Sequence, residues 1–553
     1  MKRNFQVLFC LSLSLLTFFA TAQSSSTSSR TMEFDKLLSE QFKPNETGCA
    51  ALVAERGKIL YHKAFGMADM ELNVPMKTDM LFRIGSITKQ FTAISILQLM
   101  EKGKLQLHDP ITTHVAGYPA SGEKITIEHL LTHTSGIVNI TGMKNFGDIK
   151  RKDLSTTEII EFFKNDSLEF EPGSKWSYSN SGYILLGHIV EKVSGMSYAQ
   201  YLDENIFKPC GMTSSFLGDD VKIIKNRASG YAKQGDKIVN AGFISMTIPH
   251  GAGGIISTVG DLYKWNRALL EYKMVSKSTL ETAFKRHKLS DGKETDYGYG
   301  WFFLNIQGHP TVEHGGGIDG FLTSSIYIPS RDVFVAVFSN STAESPEFVS
   351  AKLAAATIGQ PYEYKEIAFD KLSTDAFVGV YENDEGNMMN VYYDAEKVFV
   401  EFPDGNRKQL KPYEKGKYFY DDFFSTMEFK KSSDGKSYSA TAVARFDKRN
   451  VWNRTDKPFP KKAEIEVAET ILEQYTGEYQ VGPSFILTVV KEGKKLFARG
   501  PGQPNQELFG ESETKFYLKT MPIGLEFHRD DTGKVQKLMI HQGEKITEAV
   551  KIK

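Results

Sequence analysis

The octapeptide IGSITKQF (84–91) sets Ser86 three residues before Lys89. A hydroxyl nucleophile and an amine base at that spacing share one face of a helix and lie within reach of each other. Ser-x-x-Lys occurs five times in the chain, at Ser86, Ser121, Ser290, Ser433 and Ser512. The second, third and fourth contain glycine and read as turns, and Ser512 lies between strand-like runs. Only Ser86 opens a helical pattern, with Ile87, Phe91, Ile94, Leu97 and Met100 at helical spacing and Gly103 as the stop. At the first turn of a helix, unpaired N–H groups and the positive dipole end favour a developing oxyanion. The same residues also read as an N-cap serine beside a solvated lysine, and the motif by itself leaves both readings open.

Two further stretches carry chemistry. WSYSNSGY (176–183) offers Tyr178 and Asn180, and EHGGGIDG (313–320) sets His314 before Gly315, Gly316 and Gly317. Glycines in a strand mark close approach of another backbone or a ligand. His129, His133, His188 and His250 read as helix or loop histidines, and no His/Asp/Glu spacing suggests a metal or cofactor site. Trp176 and Trp301 read as packing residues, Asp319 equally as a turn residue or one that touches substrate, and Tyr381 and Tyr479 as barrel core.

The elements that must position these residues are of two textures. Strand-like runs CAALVAERGKILYHKAFG, YGYGWFF and FLTSSIYIPSRDVFVAVFSN flank helix-like runs over 86–102, YILLGHIVEKVSG, TVGDLYKWNRALL and EFVSAKLAAATIG. Strands at the two ends with helices between them predict an α+β domain with an antiparallel sheet over 32–360. The last third repeats itself at an offset of 98 residues: FVGVYENDEGN at 377 matches YTGEYQVGPSF at 475, and KYFY at 417 matches KFYL at 515. Short alternating strands in two copies predict two β-barrel modules, over 370–456 and 466–553, joined by a Pro/Lys-rich linker at 454–464.

Bulk properties exclude some classes. With 67 Lys+Arg against 68 Asp+Glu there is no electrostatic case for nucleic acid as a partner. Residues 1–22 read as a signal peptide: Met1-Lys2-Arg3, an apolar core from Val7 to Phe19, then Ala20-Thr21-Ala22. Residues 23–31 read as a polar leader, and no later apolar run is long enough for a stable membrane insertion. The expected location is periplasmic or extracellular. Cys49 and Cys210, both beside apolar residues, are expected to be buried free thiols.

Taken in the order Ser-x-x-Lys, Tyr-x-Asn, His-Gly-Gly, separated by about 90 and 135 residues, the motifs resemble the serine β-lactamase and penicillin-recognising superfamily. The Tyr-x-Asn form is similar to the branch of class C β-lactamases, D-aminopeptidases, D-Ala-D-Ala carboxypeptidases and esterases. HLLTHTSGI (129–137), YSNSGYILLGHIVEKVSGMSY and AGGIISTVGDLYKW (252–265) resemble that branch's recurring segments, and the likeness spans about 33–358. It implies a β-lactamase/transpeptidase-like domain followed by two lipocalin-like barrels, as D-aminopeptidases of the branch have. It implies Ser86 as the acylated nucleophile, Lys89 and Tyr178 sharing the base role, and Asn180 orienting the substrate. The oxyanion would rest on the N–H groups of Ser86 and Gly317, with Gly316 letting the strand lie close. His314 stands among the catalytic residues where the lactamases have lysine, and a neutral ring there disfavours substrates anchored by a carboxylate. The reading favoured is an exported serine hydrolase acting on amide or ester bonds, a D-amino-acid-directed peptidase or carboxylesterase. The alternatives are a β-lactamase or penicillin-binding protein that acylates with little turnover, and a degenerate catalytic domain whose β modules bind ligand. The expected partner is a small-molecule or peptide substrate, and an oligomer is compatible with the sequence.

Overall fold

The computed structural model describes residues 30–553 apart from 236, 344, 421–423, 433–434, 436, 446–449, 461–463, 483–484, 502, 520, 522, 531 and 543–544. The expected signal segment, most of the leader and Ser433 therefore lie outside the described residues. The chain divides into two compact units between Tyr362 and Glu363. Arg30 and Thr31, assigned above to the leader, already belong to a helix over residues 30–41, α1. Phe34, Leu38 and Phe42 recur every fourth residue and are buried, which fixes that helix by one apolar stripe.

The first unit is built on an antiparallel sheet of five strands: β1 (Cys49–Glu55), β2 (Lys58–Phe65), β3 (Val312–Ile318), β4 (Phe321–Ile328) and β5 (Val333–Ser339), in the order β3-β4-β5-β1-β2. The N-terminal hairpin thus joins the C-terminal strands, with Leu52 opposite Ala336 and His62. Strand β5 is buried at every residue and β1 at all but its last, so both faces of the sheet's centre are covered. Cys49 is buried in β1, whereas Cys210 is only partly buried, against Met274, so the expectation of two buried thiols holds for one.

Helix α2 (Thr88–Glu101) runs through the middle of this unit, packed against α3 (Asn180–Ser194), and every residue from Thr88 to Leu99 is buried. A helix buried all round has no solvent face for a lysine. Its polar residues find internal partners instead: Thr92 donates to Gly251 O at 2.6 Å, Gln98 to Met274 O at 3.0 Å, and Gln90 accepts from Trp265 Nε1 at 3.0 Å. The run 297–303, expected as a strand, is irregular. Gly300 at φ +89 brings it against the first turn of α2, where a β-carbon would lie 2.9 Å from Lys89 O.

The second unit contains two closed barrels of eight antiparallel strands each, the first from Gly379–Asn383 to Asn450–Thr455 and the second from Gly477–Gly482 to Lys545–Lys551. Arg454 and Thr455, placed above in the linker, are the end of the first barrel's closing strand. The duplication is visible atom by atom. Tyr381 donates to Phe377 O at 2.5 Å and Phe377 stacks on Phe429; Tyr479 donates to Tyr475 O at 2.8 Å and Tyr475 stacks on Phe527.

What positions the site is the meeting of edge strand β3 with the turn that leads into α2. That turn is a short 3-10 helix, Gly85–Ile87, rather than the first turn of the α-helix itself. Gly85 lies at φ +53 with its α-carbon against Gly317, where a β-carbon would come within 2.9 Å of Gly317 N. A β-carbon on Gly316 would lie 2.0 Å from Ile84 O and 2.4 Å from Thr323 Oγ1, whereas one on Gly317 would meet only Leu322 Cδ2, at 3.4 Å. Gly316→Ala is therefore expected to lower stability by about 1–3 kcal/mol, as overpacking does, while Gly317→Ala leaves it within about 0.5 kcal/mol. Urea unfolding of the two variants beside wild type checks the contrast.

Candidate active site

Ser86 sits in the 3-10 turn with a partly exposed side chain, and its hydroxyl makes no capping bond to the helix. The bland alternative, an N-cap serine with a solvated lysine, is not what the fold contains. Lys89 is fully buried, and its Nζ lies 3.1 Å from Ser86 Oγ, 2.8 Å from Asn180 Oδ1 and 2.7 Å from Ala252 O. None of these partners is a carboxylate. Burial without a counter-ion pushes Lys89 well below the ordinary lysine value. A lysine in its neutral form would donate to Asn180 Oδ1 and Ala252 O and turn its lone pair to the Ser86 hydroxyl.

Asn180 opens α3, with its backbone N–H donating to Asn139 Oδ1 at 3.0 Å. Its side-chain oxygen is taken by Lys89, and its Nδ2 turns to Asn139 Oδ1 at 3.3 Å and Thr141 Oγ1 at 3.2 Å. Tyr178 lies just before, with Lys89 Nζ 4.7 Å from its ring centroid. Burial pushes the Tyr178 phenol above its usual value, and the bond to Ser86 only partly offsets this. Burial thus acts against the lowering expected from a neighbouring cation.

The structure does not bring His314 to the substrate side. The ring is buried, its Nε2 lies 3.0 Å from Tyr297 OH and its Nδ1 2.5 Å from Gly315 O. Burial pushes it down to about 3, so it is neutral. With both nitrogens engaged inside the protein it cannot replace a lysine that grips substrate. Gly316 is buried against Ile84, and Gly317 is exposed on the cleft beside Gly85 and Ser86.

The cleft above Ser86 has a volume of about 210 Å³. Its wall is apolar, with Ile140, Phe146, Ile184, Ile244 and Ile248, and its charged lining residue is Asp319, ion-paired with Lys150 at 2.5 Å. Sequence reasoning missed several groups that shape the site: the Ala252 carbonyl, Asn139, Tyr297 and His133. The glycine-rich AGG at 252–254 was a signal for the first; the others carry none in their spacing. Among the described residues no cluster of His, Cys, Asp or Glu could hold a metal ion.

Comparison with known proteins agrees with this geometry. The profile of the β-lactamase family matches residues 34–360, well over half of the chain. The chain belongs to the β-lactamase family. It is accordingly a serine hydrolase. A penicillin-binding protein of Bacillus subtilis (strain 168) is 32% identical over 409 residues, 69% of this chain and 90% of its own. Among solved structures, the octameric penicillin-binding protein homologue from Pyrococcus abyssi is 27% identical and covers 76% of this chain and 99% of its own, with a TM-score of 0.53. D-amino acid amidase from Ochrobactrum anthropi SV3 shares the fold, with a TM-score of 0.53 at 23% identity over 60% of this chain and 99% of its own. A domain of unknown function (DUF3471) matches residues 461–550, the second barrel.

In this β-lactamase-family site His133 and His314 are both buried and both held far below the usual histidine value. The unfolded chain binds a proton on each near pH 6.5, while the folded ring of His314 refuses it until about pH 3. This stabilisation is complete above about pH 6.5 and is lost as pH falls through that window, at about 1.4 kcal/mol per pH unit for each such ring. Urea midpoints measured from about pH 7 down to about pH 5 should fall, and His314→Gln should flatten the slope.

Proposed function

We propose that this chain is an exported hydrolase that acylates Ser86 with amide or ester substrates carrying an apolar group and no obligatory carboxylate. Within that class it is a D-amino-acid-directed amidase or peptidase, or a carboxylesterase. One observation carries the reading: no lysine or arginine is among the residues lining the cleft, and Lys150 meets its rim through Asp319. Recognition of a carboxylate calls for a cation or a bidentate guanidinium. Isoleucines and Phe146 suit a hydrophobic side chain. The D-stereochemical preference rests on the fold shared with D-amino acid amidase, and export rests on the N-terminal 1–22 segment.

In the first step Ser86 Oγ attacks the carbonyl carbon while neutral Lys89 takes its proton. The Asn180 and Ala252 oxygens, already bonded to Nζ, stabilise the ammonium that forms. The tetrahedral oxyanion rests on the N–H groups of Ser86 and Gly317, brought together by the glycine contact at Gly85. Tyr178 gives its proton to the departing amine or alcohol, and the phenolate recovers one from the ammonium formed on Lys89. Water then repeats the attack on the acyl-enzyme and releases the acid.

The wild type and Ser86→Ala are to be compared on apolar D-aminoacyl amides, D-Ala-D-Ala peptides, aryl esters and a chromogenic cephalosporin. Steady turnover of the amides and esters is expected, with slow cephalosporin hydrolysis and a loss of at least about 10⁴-fold in Ser86→Ala. Fast cephalosporin turnover would overturn the substrate assignment, and a burst without turnover on every substrate would favour the penicillin-binding reading. Because the base must be neutral, kcat/KM should rise with pH and level off well below the ~10.4 of a free lysine.

A further inference from the structure

His133 occupies a position that nothing in the proposed chemistry uses. It follows the short helix Ile127–Leu131 and takes a left-handed backbone, φ +59, unfavourable for a residue with a β-carbon. That conformation turns both its carbonyl and its ring towards the segment that carries Tyr178. Ser177 N donates to His133 O at 2.9 Å, and Ser179 N donates to His133 Nδ1 at 3.2 Å. The two amides flanking Tyr178 are thus held by one residue. The imidazole also lies against the Tyr178 ring, with centroids 4.3 Å apart, and is backed by Tyr297 at 4.7 Å and Tyr183 at 5.1 Å.

We propose that His133 is a positioning residue for Tyr178, gripping the backbone on both sides of it so that the phenol is held against Ser86. The inference rests on the reading of Ser86, Lys89 and Tyr178 as the catalytic set. The grip requires Nδ1 to be unprotonated, since it accepts from an amide; the ring proton is therefore on Nε2, which is buried and has no hydrogen-bond partner. The titratable groups around the ring are Lys89, Tyr178, Tyr183, Tyr297 and His314, none of them an acid that would favour an imidazolium. Strain at a site residue, paired with hydrogen bonds that depend on it, is the pattern of a functional constraint.

Asn and Gly both tolerate a left-handed backbone, but only Asn can present an acceptor where Nδ1 stands. With ethyl butyrate as the probe, an ester whose alcohol leaves only when protonated, His133→Gly is expected to lower kcat about 100-fold with KM within about threefold. His133→Asn should recover most of that loss. Should the glycine variant fail to fold, His133→Phe keeps the ring, lacks the acceptor and replaces it in the comparison. The same pair in a Tyr178→Phe background separates positioning from general support. If His133 acts through the phenol, the gap between the Asn and Gly variants closes there. Equal activity of the two variants in the wild-type background, or a gap of unchanged size without the phenol, would overturn the proposal. Esterase activity that survives in Ser86→Ala would instead overturn the catalytic reading on which it rests.

Discussion

A fully buried lysine with no carboxylate beside it is the constraint on which the rest of the site depends. Placing an ammonium there uncompensated would cost several kcal/mol, so the fold must either neutralise Lys89 or surround it with oxygens, and it does both. Ser86, Asn180 and Ala252 supply three oxygens from three separate segments. Each segment is in turn fixed by something unrelated to Lys89. Asn139 holds the start of α3, the 3-10 turn is pinned by Thr323 donating to Ile84 O at 2.9 Å, and Thr92 donates to Gly251 O beside Ala252. The helix carrying the lysine is buried all round because a helix with a wet face would hydrate the amine and return it to its ordinary pKa.

Close approach of backbones is the second requirement, and it explains where glycine is needed. The oxyanion donors proposed for Ser86 and Gly317 belong to a helix-initiating turn and an edge strand. Ordinary side chains would keep two such backbones several ångströms apart. Gly85 and Gly316 remove that barrier at two successive points, and Gly300 does the same for the segment that brings Tyr297 under α2. The free edge of β3 is not exposed for pairing, as an edge strand otherwise would be; the nucleophile turn lies along it.

The sequence made legible what local periodicity and short motifs encode. The helix after Ser86, the β1–β2 hairpin, the strands following His314 and the 98-residue duplication all carry their own patterns. Ser86, Lys89, Tyr178 and Asn180 were legible because their types and order form a recognisable set, and the fold brings all four together. Four features were not. A backbone carbonyl such as Ala252 O has no residue-type signature. His133 and Tyr297 act through tertiary packing between segments that no spacing links. YGYGWFF alternates as a strand does, yet its glycines serve to press it against α2 rather than to pair it. His314 was legible as a motif residue, but whether its ring faces the cleft or the interior depends on the face of the strand, which a one-residue shift reverses.

That misplacement changes where substrate selectivity is decided. Had His314 faced the cleft, its neutrality would be the feature that weakens carboxylate binding. Buried against Tyr297, it is not among the residues lining the cleft. The lack of a cation among the described lining residues is instead a property of the cleft wall, built from Ile140, Phe146, Ile244 and Ile248 in short helical turns and loops outside the catalytic motifs. The chemistry-bearing residues and the residues that choose the substrate therefore lie on different elements. The first set is locked to α2, α3 and β3 by burial and hydrogen bonding, and its members cannot change without exposing or unpairing Lys89. The second set lies outside those elements, and because Ile140, Ile244 and Ile248 are buried in the core, only Phe146, which is half-buried, is open to replacement at little packing cost. A lysine in place of Phe146 changes the charge of that wall without touching the Ser86–Lys89 pair, so the charge of the cleft and the burial of the amine are set by different residues.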